Sequence, residues 1–156
     1  MTEARWLDDP EASAWRGLWT MSQLLFDRLN RELQQRSGLS LAEYDVLFRL
    51  SEASECGLRM SALAEDTHCS RSRLSHQIDR MEADGLVRRM SCPTDRRGAF
   101  AVLTPKGRQV LEDAAPGHIG DVRTFLIDAL TREQLAQLTA IADAVEARVT
   151  EADLAT

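Results

Sequence analysis

Residues 61–104, SALAEDTHCSRSRLSHQIDRMEADGLVRRMSCPTDRRGAFAVLT, decide how the rest of the chain is read. Ser61-Ala62-Leu63-Ala64-Glu65-Asp66-Thr67 is short and rich in helix formers. His68-Cys69 follows as a turn, and Ser70 offers its hydroxyl as the N-cap of a second helix. On that helix Leu74, Ile78 and Met81 recur at spacings of four and three, so one face must be buried. The opposite face is read as Arg71, Ser72, Arg73, Ser75, His76, Gln77 and Arg80, all suited to phosphates and base edges. Gly85 closes the helix at the position where a left-handed residue is favoured. Leu86-Val87-Arg88-Arg89-Met90 and Ala99-Phe100-Ala101-Val102-Leu103 then read as two strands around a turn holding Pro93 and Gly98. Asp95, Arg96 and Arg97 sit at its tip. Helix, turn, arginine-rich helix and basic hairpin together make the pattern of a winged helix-turn-helix.

The charge of the whole chain, −6, argues against a nucleic-acid partner until it is divided. Residues 70–108 hold nine basic and four acidic side chains, a balance of +5, so the remainder carries −11. An acidic body with one basic edge binds a polyanion in a single orientation. Double-stranded DNA is therefore the expected partner.

With 156 residues, 44% of them hydrophobic and 28% charged, the chain has the composition of one globular domain. No apolar run approaches the ~20 residues of a membrane span, and Met1-Thr2-Glu3-Ala4-Arg5 lacks a signal-peptide core. Both absences lead to the expectation of a cytoplasmic protein with no membrane partner. Cys56, Cys69 and Cys92 are odd in number and scattered, so no disulfide framework is expected. His68-Cys69 with another cysteine lacks zinc-site spacing, and neither metal nor cofactor is expected. A nucleophile motif and a Gly-rich phosphate loop are both missing, which argues against an enzyme.

Outward from the central stretch, a loose acidic segment to Pro10 precedes a long helix over 11–36, ended by Gly38. Trp15, Leu18, Trp19, Leu25, Leu29 and Leu33 form its stripe, widened by Met21, Leu24 and Phe26. Ser40-Leu41-Ala42-Glu43 is a capping box opening a helix in which Tyr44, Leu47 and Phe48 should face inward. A polar connection over 52–57 leads to the helix-turn-helix. After the hairpin, Thr104-Pro105 opens another helix with threonine as cap and proline at the first position. Pro116-Gly117 should kink or break it. Thr131-Arg132-Glu133-Gln134 is a second capping box, and Leu135, Leu138, Ile141, Ala142, Val145 and Val149 stripe the final helix. The expected fold is thus mainly α with a small β-hairpin, a single domain over 1–156. Its DNA-binding region is 40–104, and the helices over 11–36 and 105–153 carry apolar stripes that a small reading domain cannot cover. A homodimer covers them and presents two reading heads to a pseudo-palindrome; an intramolecular bundle is the other arrangement the stripes allow.

Asp95-x-Arg97, five residues, Leu103-Thr104 and then Gly107 match the wing signature of the MarR family of transcriptional regulators, which the chain resembles from about 11 to 149. Leu63-Ala64, Ser70, Ile78 and Gly85-Leu86-Val87-x-Arg89 fall where that family has its helix-turn-helix, with Met81 where leucine is usual. The resemblance implies a winged helix-turn-helix flanked by terminal dimerisation helices, in a repressor that binds an operator. It also implies that Arg97 enters the minor groove and that Asp95 braces the wing against an arginine. Ser70, Arg71, Arg73, Ser75, His76, Gln77, Arg80, Asp95, Arg96 and Arg97 are the candidate DNA contacts. Helical geometry lets four or five of the seven on the helix touch DNA at once.

Trp15, Trp19 and Phe26 read as core by spacing. The resemblance gives them a second reading, as the lining of a cleft for a small aromatic or phenolic effector that releases DNA. Two further readings remain beside the repressor. A winged helix also serves as a protein–protein module, against which the basic wing tip speaks. The resemblance implies that a thiol-based redox sensor of this family would carry a reactive cysteine near the start of the first long helix, whereas the first cysteine here is Cys56. Cys69, beside His68 at a helix N-terminus, is the remaining thiol of interest.

Overall fold

The computed structural model describes residues 5–92 and 95–154; for Cys92, Asp95, Arg96, Arg97, Asp153 and Leu154 it describes the backbone alone. In chain order the elements are α1 (Asp9–Ser37), α2 (Leu41–Glu52), β1 (Leu58–Arg59), α3 (Met60–Asp66) and α4 (Arg71–Ala83). They continue with β2 (Val87–Cys92), β3 (Asp95–Leu103), α5 (Pro105–Phe125), a 3-10 turn (Ile127–Ala129) and α6 (Arg132–Leu154). The chain divides into two compact units, 1–118 and 119–156.

In the first unit, α1 begins two residues before the expected helix. Asp8 accepts from Glu11 N–H at 2.9 Å while Glu11 accepts in return from Asp8 N–H, a capping box that draws Asp9 and Pro10 into α1. Gly38 ends α1 in the left-handed region (φ 73°), as expected. Ser40 and Glu43 form the reciprocal cap of α2, with Leu41 N–H held by Asn30 Oδ1 at 2.9 Å.

Leu33, Val46, Leu47, Leu63, Leu74, Ile78, Met81 and Val87 are the most deeply buried large side chains, and α1, α2, α3, α4 and β2 supply them to one core. Burial of each contributes about 1.5–3 kcal/mol. Phe48, expected inside α2, is instead 49% exposed. Tyr44, Val46, Leu47 and Leu50 form the buried stripe of α2, and Phe48 lies just outside it. Tyr44 packs its ring on His118, centroids 4.5 Å apart, and burial pushes its phenol above the usual range.

The sheet has three strands, not two, in the order β1-β3-β2 and antiparallel throughout. β1 pairs Leu58 with Ala101 and Arg59 with Phe100. Gly57 is the reason the connection can lie so close: it has φ 71°, and a Cβ there would stand 2.0 Å from Ala101 O. The β2–β3 ladder runs from Val87↔Leu103 to Ser91↔Ala99, then shifts to Cys92↔Asp95. Gly98, expected in the turn, is therefore within β3, among the three residues that the shift leaves without partners in β2.

Pro116 does not break α5, which is continuous from Pro105 to Phe125. Proline removes one intrahelical bond, but Leu111 and Ala114 are anchored in the core just before it. Just after it, Gly117 O accepts from Arg36 Nη1 at 3.0 Å.

The second unit holds the end of α5, the 3-10 turn and α6. Thr131 N–H donates to Gln134 Oε1 and Gln134 N–H to Thr131 Oγ1, so α6 starts on the expected capping box. Ile141, Val145 and Val149 on α6 are 52–58% exposed. In the first unit α1 is similar: Leu29 and Leu33 are buried, while Trp15, Leu18, Trp19, Met21, Leu24 and Phe26 are exposed. The expectation that Trp15, Trp19 and Phe26 form core is not met within a single chain.

Candidate nucleic-acid interface

The turn between α3 and α4 is tight because His68 takes a left-handed conformation, φ 49°. Cys69 N–H then bonds Ala64 O at 2.9 Å, and Ser70 caps α4 by accepting from Arg73 N–H at 3.3 Å. Cys69 is half-buried against the core. Leu74, Ile78 and Met81 seat α4 so that its outer face is fixed by the fold.

That face carries Ser70, Arg71, Ser72, Arg73, His76 and Arg80, all exposed. Arg71, Arg73 and Arg80 make no ion pair or hydrogen bond with a described side chain through their guanidinium groups, which leaves those donors for a ligand. Beside them an open groove of about 610 Å³ runs between α4, Asn30 of α1 and Ser40 at the start of α2. Arg73, His76, Gln77 and Arg80 stand on its walls. Such a surface suits a phosphate backbone.

Two candidates are less exposed than these, although Gln77 still lines the groove. Gln77 is 8% exposed: at three residues from Leu74 it falls on the buried stripe, and its Nε2 finds no partner among the described residues. Ser75 is half-buried and turned toward β2, where its carbonyl and hydroxyl both accept from Arg89 Nη2, at 3.1 and 3.2 Å.

Arg89, read from the sequence only within a strand and the family pattern, was given no role there. Its Nη1 lies 2.6 Å from Asp79 Oδ1 and 3.1 Å from Glu82 Oε2, and its backbone N–H donates to Glu82 Oε1 at 2.7 Å. The signal was present in the spacing. Ser75, Asp79 and Glu82 follow one another by four and three, a single helix stripe, with an arginine shortly after the helix ends. The side chains of Asp95, Arg96 and Arg97 lie outside the described residues.

The base of the wing explains the Leu103-Thr104-x2-Gly107 part of the motif. Thr104 Oγ1 donates toward Gly85 O (2.7 Å) and Leu86 O (3.0 Å) and accepts from Gly107 N–H (2.9 Å), capping α5 while tying it to the end of α4. A Cβ on Gly107 would stand 2.0 Å from Leu86 O, so only glycine permits this approach. Lys106 Nζ bonds Asp84 O at 2.6 Å, completing the joint.

The MarR family model matches residues 39–98, from the start of α2 into the wing. AbsC, a MarR family transcriptional regulator from Streptomyces coelicolor, is 42% identical, with 95% of this chain and 99% of that one superposed at a TM-score of 0.89. The chain belongs to the MarR family. Sco3205 from the same organism, a MarR family regulator crystallised in complex with DNA, is also 42% identical, covering 94% of this chain and 91% of its own at a TM-score of 0.88. The transcriptional regulator HosA of Escherichia coli O111:H- is 33% identical over 101 residues, 65% of this chain and 72% of HosA. As a MarR family member the chain is a DNA-binding transcriptional regulator, not an enzyme. No helix among its described residues is long and apolar enough to cross a membrane.

Proposed function

We propose that the chain is a cytoplasmic homodimeric repressor that grips a pseudo-palindromic operator with one reading head per half-site. The observation that carries this reading is the contrast between two surfaces of each subunit. Arg71, Arg73 and Arg80 stand exposed on α4, their guanidinium groups unpaired among the described residues, while α1 and α6 expose apolar stripes that need a second copy to cover them. Two α4 helices related by a two-fold axis would reach major-groove segments about 10 bp apart.

In this reading Arg71 and Arg73, near the start of α4, read base edges with help from Ser70 and His76. Arg80, nine residues beyond Arg71, anchors phosphate. Arg97 and Arg96 at the wing act in or beside the minor groove, with Asp95 bracing them. Gln77 and Ser75 serve the packing of α4. Trp15 and Trp19, rings 5.7 Å apart, and Phe26 present an exposed aromatic surface to which we assign a small aromatic or phenolic effector. Its binding would favour a head spacing that no longer fits the operator.

Fluorescence anisotropy with the duplex flanking the protein's own gene, beside a scrambled duplex, tests the reading. Binding to the first should be tighter and should fall with salt at a slope of about −0.9 per neutralised phosphate. Arg97→Ala should weaken it broadly. Arg71→Ala or Arg73→Ala should cost about 1–3 kcal/mol of discrimination between the two duplexes. Equal affinity for both duplexes, or binding indifferent to salt, would instead support a protein–protein module. Light scattering should give twice 17.5 kDa, and a monomer at micromolar concentration overturns the dimer.

A further inference from the structure

One guanidinium on β2 engages a whole face of α4. Ser75, Asp79 and Glu82 stand on one stripe over two turns, and Arg89 bonds all three while its backbone N–H adds a second bond to Glu82. The bonds are charge-assisted and the planar fork fixes their directions, so they orient as well as attract. Both carboxylates remain partly open to solvent: the side chains of Asp79 and Glu82 are 56% and 38% exposed, that of Arg89 29%. Two acids on a helix that approaches a polyanion oppose binding. With Arg89 in place the trio carries −1; without it, −2.

We infer that Arg89 is a positioning residue that latches the reading helix to the wing strand and masks its two acids from DNA phosphates. The latch rests on α4 being the DNA-reading helix, and it assigns Asp79 and Glu82 a purpose. They hold Arg89 inward, where it sets the angle of α4, and so keep a strong phosphate ligand out of non-specific contact. The device converts a residue of general affinity into one of specificity.

The test uses the full chain and the two duplexes above. Arg89→Met should keep the helical circular dichroism spectrum and weaken binding to the gene-flanking duplex at least tenfold. Arg89→Lys retains the charge but loses the fork, so its ratio of flanking to scrambled affinity should fall severalfold. Asp79→Asn with Glu82→Gln should raise affinity for the scrambled duplex and steepen the salt slope by about 0.9, as one released arginine reaches a phosphate. Adding Arg89→Met to that pair should return scrambled binding to near the parent's while the ratio stays low. Arg73→Ala is the control for the reading helix itself. If Arg73→Ala loses binding while Arg89→Lys and the Asp79/Glu82 pair keep the parent's ratio and slope, the latch is wrong and the reading helix stands. If Arg73→Ala also changes nothing, α4 is not the reading helix and the latch falls with it. Should Arg89→Met fail to fold, the Arg89→Lys ratio and the Asp79/Glu82 slope decide the matter alone.

Discussion

Helices α4 and α6 each announce themselves in the sequence by a cap and an apolar stripe, yet they end in opposite circumstances. α4 buries Leu74, Gln77, Ile78 and Met81 under α2, α3 and the sheet side of the core. α6 is ten residues longer, and none of its residues 132–152 is buried; Ile141, Val145 and Val149 stand more than half exposed. A stripe states which face seeks cover, and says nothing of whether the same chain supplies it. In the reading head the cover is local, coming from elements within a few dozen residues. On α6 and the first half of α1 the stripes are exposed, and the proposed dimer would cover them.

That contrast can be broken most severely in the reading head. Leu74→Ala removes a fully buried side chain and should cost about 2–5 kcal/mol in chemical denaturation. A loss below about 1 kcal/mol would mean the core is less closed than its burial suggests. Gly107→Ala comes next, since its new methyl meets backbone at Leu86 O. Overpacking of this kind costs about 1–3 kcal/mol, against the gain an alanine brings to an open helix. Ser70→Ala deletes the N-cap of α4 and should cost about 1 kcal/mol while weakening DNA binding.

The smallest expected change reverses sign and sharpens the comparison. Gly120, on the same helix α5 as Gly107, has nothing within 4 Å of a built Cβ. Gly120→Ala should therefore raise stability by about 0.5–1 kcal/mol, read as an increase in the denaturation midpoint. A loss there would reveal a close contact that the single chain does not provide, and with it a second copy at that face. Val145→Asp complements this: it should leave helix content unchanged and shift the mass from two chains to one.

Much of the fold was legible because its signals are local. The caps at Ser40, Thr104 and Thr131, the Gly38 stop and the inward stripe of α4 each depend on residues within a turn or two of one another. Local chemistry also placed Arg71, Arg73, His76 and Arg80 on the open face. It failed where a contact joins distant parts of the chain. β1 has two residues, too few for any alternation to show, and exists because β3 has an edge for it to pair with. Pro116 was expected to kink or break its helix, yet α5 runs through it, with Leu111 and Ala114 in the core and Arg36 bonded to Gly117 O.

The sequence by itself determined the order of helices and strands, the family motif at the wing and the segregation of charge, because each is written in residue type and spacing. The tertiary structure alone decided how the arginines divide. Arg71, Arg73 and Arg80 keep their guanidinium groups open to solvent, while Arg89, of the same type and in the same basic segment, is turned inward onto Asp79 and Glu82. An arginine's role follows from which carboxylates stand within 4 Å, and those distances exist only once β2 has folded back along α4.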